Sequence, residues 1–93
     1  MHRVLVIDDD AILIGVLKRG LSYEGYTVHT AATGTEGLTI ARDHTPDVVI
    51  LDLMLPGIDG FEVLRRLRSV NVNLPVLLLT ARDETALTES HGI

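Results

Sequence analysis

Residues 47–68 read DVVILDLMLPGIDGFEVLRRLR, and the fold turns on how that stretch divides. DVVILD, 47–52, is a continuous apolar run with β-branched members that ends on a carboxylate, the pattern of a strand covered on both faces. Pro56-Gly57 marks a turn, and Gly57 and Gly60 read as turn residues. Asp59 with Glu62 three residues later forms an N-terminal capping pattern. A helix therefore opens there, with Phe61, Leu64 and Leu67 as its inner face.

The same alternation of strand and helix extends outward in both directions. RVLVI at 3–7 is a second short apolar run stopped by polar residues. Leu13, Ile14, Leu17 and Leu21 then recur at helical spacing, with Lys18, Arg19 and Glu24 elsewhere, so one face packs on a sheet and one is wet. Gly25 ends that helix in a left-handed position. YTVHTA at 26–31 alternates as a shorter strand, and Thr33 with Glu36 makes a capping box for a helix running to about Asp43, stopped by Pro46. LPVLLLT at 74–80 is a fourth strand. The order β-α-β-α-β-α-β implies right-handed crossovers, a parallel sheet and helices on both faces, an α/β doubly wound domain.

Composition narrows the function classes. Ninety-three residues, 46% of them hydrophobic, make one compact domain. Three aromatics, Tyr23, Tyr26 and Phe61, leave an aliphatic core without platforms for stacked bases. A net charge of -5, with arginines scattered apart from RRLR at 65–68, argues against direct nucleic-acid binding. Cysteine is absent, so no disulfide framework or thiolate chemistry is expected. No signal peptide and no membrane-length apolar stretch is visible, and a soluble cytoplasmic protein is the expectation.

Doubly wound sheets place their sites outside the carboxyl ends of the strands. Here those positions are Asp8, Asp9, Asp10, Asp52, Thr80 and Ala81. Carboxylates crowded at one rim repel unless something positive sits among them, and a hard divalent cation accepts such oxygens while keeping positions for water and phosphate. The set therefore reads as a phosphoryl-transfer site. Asp10 alone has a simpler reading as a helix N-cap, and Thr80 could merely terminate its strand. Asp52 gains little from capping, because the next helix begins only near residue 60. His2, His29, His44 and His91 show no metal-ligand spacing, and surface or loop positions explain them. TGTEG at 33–37 lacks the spacing and the lysine of a phosphate loop.

VLVIDDD, then PDVVILDLMLPGIDGFEVLRRLR, then PVLLLTAR resemble the receiver domain of two-component response regulators in content, order and spacing, over residues 3 to about 84. The resemblance implies a flavodoxin-like sheet ordered 2-1-3-4. It also implies phosphorylation of Asp52 by a sensor histidine kinase, or by a small phosphodonor, and Mg2+ (or Mn2+) held by Asp9, Asp52 and the Met54 backbone carbonyl with Asp8 helping through water. The hydroxyl of Thr80 would turn toward the phosphoryl group, Ala81 leaving room. Receiver domains catalyse their own phosphorylation and dephosphorylation without being classed as stand-alone enzymes.

The family continues through a further helix, a fifth strand ending in Lys-Pro and a fifth helix, whereas this sequence stops at Ile93. It reads as a partial receiver whose last residues, 85–93, are poorly patterned. Its one lysine, Lys18, lies within the first helix. Loss of a charge-assisted contact to the phosphoryl group, worth roughly 1.5–3 kcal/mol, leads us to expect slow or undetectable phosphorylation with Mg2+ binding retained. An uncovered fourth strand would favour a homodimer or swapped assembly. Two other readings compete: a truncated receiver serving only as an interaction or dimerisation module, and a haloacid-dehalogenase-type phosphatase using the Asp-x-Asp spacing of Asp8 and Asp10, although the following Gly-Thr of that family is missing.

Overall fold

A computed structural model describes residues 2–79. The elements alternate throughout: β1 (Arg3–Ile7), α1 (Ala11–Tyr23), β2 (Thr27–Ala31), α2 (Gly34–His44), β3 (Val48–Asp52), α3 (Gly60–Val70) and β4 (Val76–Leu79). The four strands form one parallel sheet in the order β2-β1-β3-β4, as expected. From β1 the chain moves one way to β2, then back across β1 to β3 and on to β4. Right-handed crossovers therefore put α1 on one face of the sheet and α2 and α3 on the other.

Strand alternation divides the apolar side chains between these faces. Leu5, Ile7, Val49 and Leu51 join Leu38 and Ala41 of α2 and Val63 and Leu67 of α3 in the main core. Val4 and Val6, equally buried, point to the α1 side. On that side Leu13, Ile14, Leu17 and Leu21 of α1 are half-buried and no residue of the helix is fully buried. The four described strands are wider than one helix covers, and Leu77 on β4 remains 60% exposed.

Local chemistry sets the helix ends. The Glu36 N–H donates to Thr33 Oγ1 at 3.1 Å, and Glu36 Oε1 accepts from the Ala32 N–H at 2.9 Å, closing a box one residue wider than the standard pattern. Gly25 follows the C-cap of α1 with φ 97°, the left-handed geometry expected of it. α2 ends on Thr45, which adopts φ 42° although it is β-branched.

Two expectations need correction. Phe61 does not face the core: it is 65% exposed, and α3 buries Gly60, Val63 and Leu67, with Leu64 half-buried. The cap expected at Asp59 is in place, its Oδ1 accepting the Glu62 N–H at 2.9 Å, while the Glu62 carboxylate binds Arg65 and, at 2.8 Å, Arg66. The strands are also shorter than the apolar runs, with Tyr26, Asp47, Leu74 and Pro75 outside them. The stretch 85–93 lies outside the described residues. Among the described residues no helix is long and apolar enough to cross a membrane.

Candidate functional site

β1 and β3 are neighbours whose register sets Ile7 beside Leu51. The residues that follow, Asp8 and Asp52, consequently emerge side by side at the carboxyl edge of the sheet. Backbone bonds hold both in place, since the Asp8 N–H donates to Ala31 O at 3.0 Å and the Leu53 N–H to Leu79 O at 3.1 Å. Each carboxylate then folds onto its own chain. Asp8 Oδ1 accepts the Asp10 N–H at 2.9 Å, and Asp52 Oδ1 accepts the Met54 N–H at 2.8 Å, the Asx-turn pattern that lets a strand end abruptly.

Asp9 completes the group. Carboxylate oxygens of Asp8, Asp9 and Asp52 lie within 4.8 Å of one another. Asp8 and Asp52 are each only 2% exposed, whereas Asp9 faces solvent. At that spacing two full charges repel by on the order of 3 kcal/mol for an effective dielectric near 20. That exceeds the ~1 kcal/mol a capping carboxylate contributes. Three carboxyl groups held this way, two of them in the protein interior, are a donor set suited to a hard divalent cation. The bond from Met54 to Asp52 ties the backbone of the fourth expected ligand to the same carboxylate.

Asp10 stands apart from this group. It is the N-cap of α1, its Oδ1 accepting the Ile12 and Leu13 N–H groups at 3.0 and 3.1 Å. The phosphatase reading needs Asp10 as its acid/base, and here the Asp10 side chain is engaged in capping α1. Thr80 and Ala81 lie outside the described residues.

Among the described residues the histidines stay out of the acidic group, but one of them is not on a loop or the open surface. His29 is within β2, half-buried, and its ring stacks on that of His44 at the end of α2, centroids 4.2 Å apart. Burial first, then the nearby charges of His44, Arg3 and Lys18, hold the His29 pKa below its ordinary 6.5. A cleft of about 500 Å3 between the C-terminal halves of α2 and α3 is bordered by Leu38, Ala41, Arg66 and Leu74, and among the described residues none of the expected site residues lines it.

One residue at the site, expected in a turn, belongs instead to α3. Gly60 opens α3 with its backbone pressed onto β3: a Cβ there would lie 2.3 Å from Leu53 Cα and 2.7 Å from the Asp52 carbonyl oxygen. Sequence spacing carries no signal for such an approach.

Comparison with known proteins agrees with this geometry. The family model described as the response regulator receiver domain matches residues 4–91. Response regulator MprA of Mycobacterium sp. (strain KMS) is 48% identical over 84 residues, which are 90% of this chain and 36% of MprA. The chain thus spans about a third of the length of the curated relatives it matches. Among solved structures, a CheY-like receiver domain protein from Methanospirillum hungatei JF-1 aligns with a TM-score of 0.84 at 27% identity, covering 99% of this chain and 74% of that one. A chain in the crystal structure of histidine kinase ThkA in complex with response regulator protein TrrA aligns with a TM-score of 0.81 at 39% identity, covering 90% of this chain and 72% of that one.

Proposed function

The chain belongs to the response regulator receiver family, and from that membership we propose that Asp52 is the phosphoacceptor and that Asp8, Asp9 and the Met54 carbonyl complete a Mg2+ or Mn2+ site around it. The observation that carries the reading is the convergence of Asp8, Asp9 and Asp52 within 4.8 Å at the carboxyl edge of the sheet. The buried pair forms the inner wall, and exposed Asp9 lies on the side from which a phosphodonor arrives. A bound cation supplies charge neutralisation for the equatorial phosphoryl oxygens.

The residues themselves do the rest. Asp52, fixed by the sheet ladder and by the Met54 N–H, presents its carboxylate to phosphorus. The new O–P bond forms as the bond from phosphorus to the donor imidazole breaks, the electron pair returning to the imidazole nitrogen. The donor is a sensor histidine kinase, a partner class supported by the ThkA–TrrA complex of a similar chain, or a small acyl phosphate. Thr80 is the hydroxyl that follows β4 in the sequence and the candidate to sense the product.

Within these 93 residues the one lysine, Lys18, sits exposed on α1. Assayed alone, they therefore lack a lysine contact worth roughly 1.5–3 kcal/mol to the phosphoryl group, and transfer is expected to be slow while Mg2+ still binds. Intact-mass measurement after incubation with acetyl phosphate and Mg2+, beside an Asp52→Asn control, tests the reading. An adduct that depends on Asp52 supports it, and an adduct equally abundant in the control refutes it. Mg2+ titration of the wild type tests the metal site separately.

A second reading has its own support. Among the described residues β4 pairs only with β3, and Leu77 and Leu78 are 60% and 42% exposed, which suits pairing with a second copy. Light scattering decides: a monodisperse monomer at moderate concentration removes this reading.

A further inference from the structure

We infer that Gly60 is a positioning residue for the acidic site, holding the Asp52–Leu53 backbone where the cation and the phosphoryl group require it. The inference rests on the proposed role of Asp52 and extends it to a residue that bears no functional group.

The requirement for glycine here is one of space. Gly57, in the preceding turn, has φ 75°, and there the backbone conformation itself favours glycine. Gly60 has no positive φ, yet a Cβ on it would come within 2.3 Å of Leu53 Cα, 2.7 Å of Asp52 O and 2.9 Å of Leu53 C. All three are backbone atoms and cannot swing aside as a side-chain tip can. The Gly60 N–H also points at Leu53 O, 3.4 Å away. The first turn of α3 is thus seated directly on the peptide that joins Asp52 to Leu53.

That peptide has no slack. Ahead of it Asp52 is in register with Leu79 of β4, and beyond it the Leu53 N–H bonds to Leu79 O at 3.1 Å. The Asp52 carboxylate is tied to the Met54 N–H. A push on Asp52 O and Leu53 Cα therefore moves the carboxylate and the Met54 backbone together. Displacements of this kind in groups that orient metal ligands weaken metal affinity by about 10–100-fold.

The fold supplies a matched control. Gly34 is the first residue of α2 as Gly60 is of α3, and both are buried. A Cβ on Gly34 meets Val63 Cγ2 at 2.6 Å and Ile58 Cγ2 at 2.8 Å, and no backbone atom of residues 52–54 is among its nearest neighbours. Gly34→Ala overpacks the α2–α3 contact and touches the backbone only at Ile58 O, 3.2 Å away, whereas Gly60→Ala overpacks the α3–β3 contact and pushes directly on the Asp52–Leu53 peptide.

The experiment measures thermal stability and Mg2+ affinity for the 93-residue wild type and both variants, by melting and by titration of amide resonances. Gly60→Ala is expected to weaken Mg2+ binding by about tenfold or more and to slow phosphorylation by acetyl phosphate. Gly34→Ala is expected to lose stability while binding Mg2+ as the wild type does. A second measurement uses the wild type alone: Mg2+ stabilises the fold as a whole, and by linkage it should slow hydrogen exchange at the Gly60 amide by more than at the Gly34 amide. Equal Mg2+ affinity in Gly60→Ala and wild type, equal losses in both variants, or a Gly60 amide slowed by Mg2+ no more than the Gly34 amide overturns the inference alone. A wild type that binds no Mg2+ overturns the site reading and this inference with it.

Discussion

At the scale of single residues, two positions hold free energy that substitution should release. Asp9 is the exposed member of a carboxylate group whose oxygens lie within 4.8 Å. Replacing it by Asn removes a charge without changing shape. In chelator the Asp9→Asn chain should melt above the wild type, by about 4–8 °C for each kcal/mol of repulsion relieved in a domain of this size. Added Mg2+ should then raise the wild-type melting temperature steadily with concentration and move the variant little; a variant that melts lower than wild type in chelator would show that other contacts of Asp9 outweigh the repulsion. Thr45 is the other position. Its φ of 42° and ψ of 69° put a β-branched residue in left-handed backbone, which costs a non-glycine residue roughly 1–2 kcal/mol. Its Oγ1 receives the Arg3 guanidinium only at a long 3.4 Å. Thr45→Gly should gain about 1 kcal/mol of that strain back, less the entropy glycine adds to the unfolded chain, seen as a higher urea midpoint at unchanged slope.

At the scale of elements, α3 shows what pattern reading resolves and what it misses. Phe61, Leu64 and Leu67 fall on one stripe, and Gly60, Val63 and Leu67 fall on another one residue around the helix. Apolar content favours the first stripe, but the helix adopts the second because only glycine lets its first turn seat on β3. Phe61→Ser should accordingly change stability by no more than about 0.5 kcal/mol, while Leu67→Ala should cost about 2–5 kcal/mol, both read from urea unfolding. A large loss at Phe61 would return it to the core. The alternation of four strands with three helices in a parallel sheet, by contrast, was legible from the apolar runs, while the order 2-1-3-4 came with the receiver-domain resemblance. The acidic group was legible too, because parallel neighbours in register deliver their next residues to the same edge. Close approaches such as Gly60, and ring stacks such as His29 on His44, leave no periodic trace in sequence. They depend on which elements touch, and neighbouring residues along the chain do not encode that.

At the scale of the whole molecule, acidification acts on contacts remote from the acidic site. The His29 and His44 rings stack at 4.2 Å, joining the edge strand β2 to the end of α2. Arg3 of β1 donates to the His44 carbonyl at 2.8 Å, Lys18 of α1 adds positive charge, and Asp47 accepts the Arg3 backbone N–H at 2.7 Å. The folded His29 pKa lies below 6.5, so the unfolded chain takes up the proton first. Stability tied to neutral His29 is fully present above pH 6.5 and is lost as pH falls below it. Glu62 adds a lower window: Arg65 and then Arg66 bring its pKa down from 4.5 to about 2, so its contribution is present above 4.5 and fades toward 2. Urea midpoints should therefore fall between about pH 7.5 and about pH 5 for the wild type, and fall less for His29→Gln, which removes the titrating group. Resonances assign the cause. The His29 titration midpoint should rise in His44→Phe, which keeps a ring over His29 but removes the charge, and rise further in His44→Ala, which also opens the ring to water. Since burial is the largest cause and the His44 charge the next, the opposite order, or a midpoint that stays put in both variants, would detach the stacked pair from the acid response of the fold.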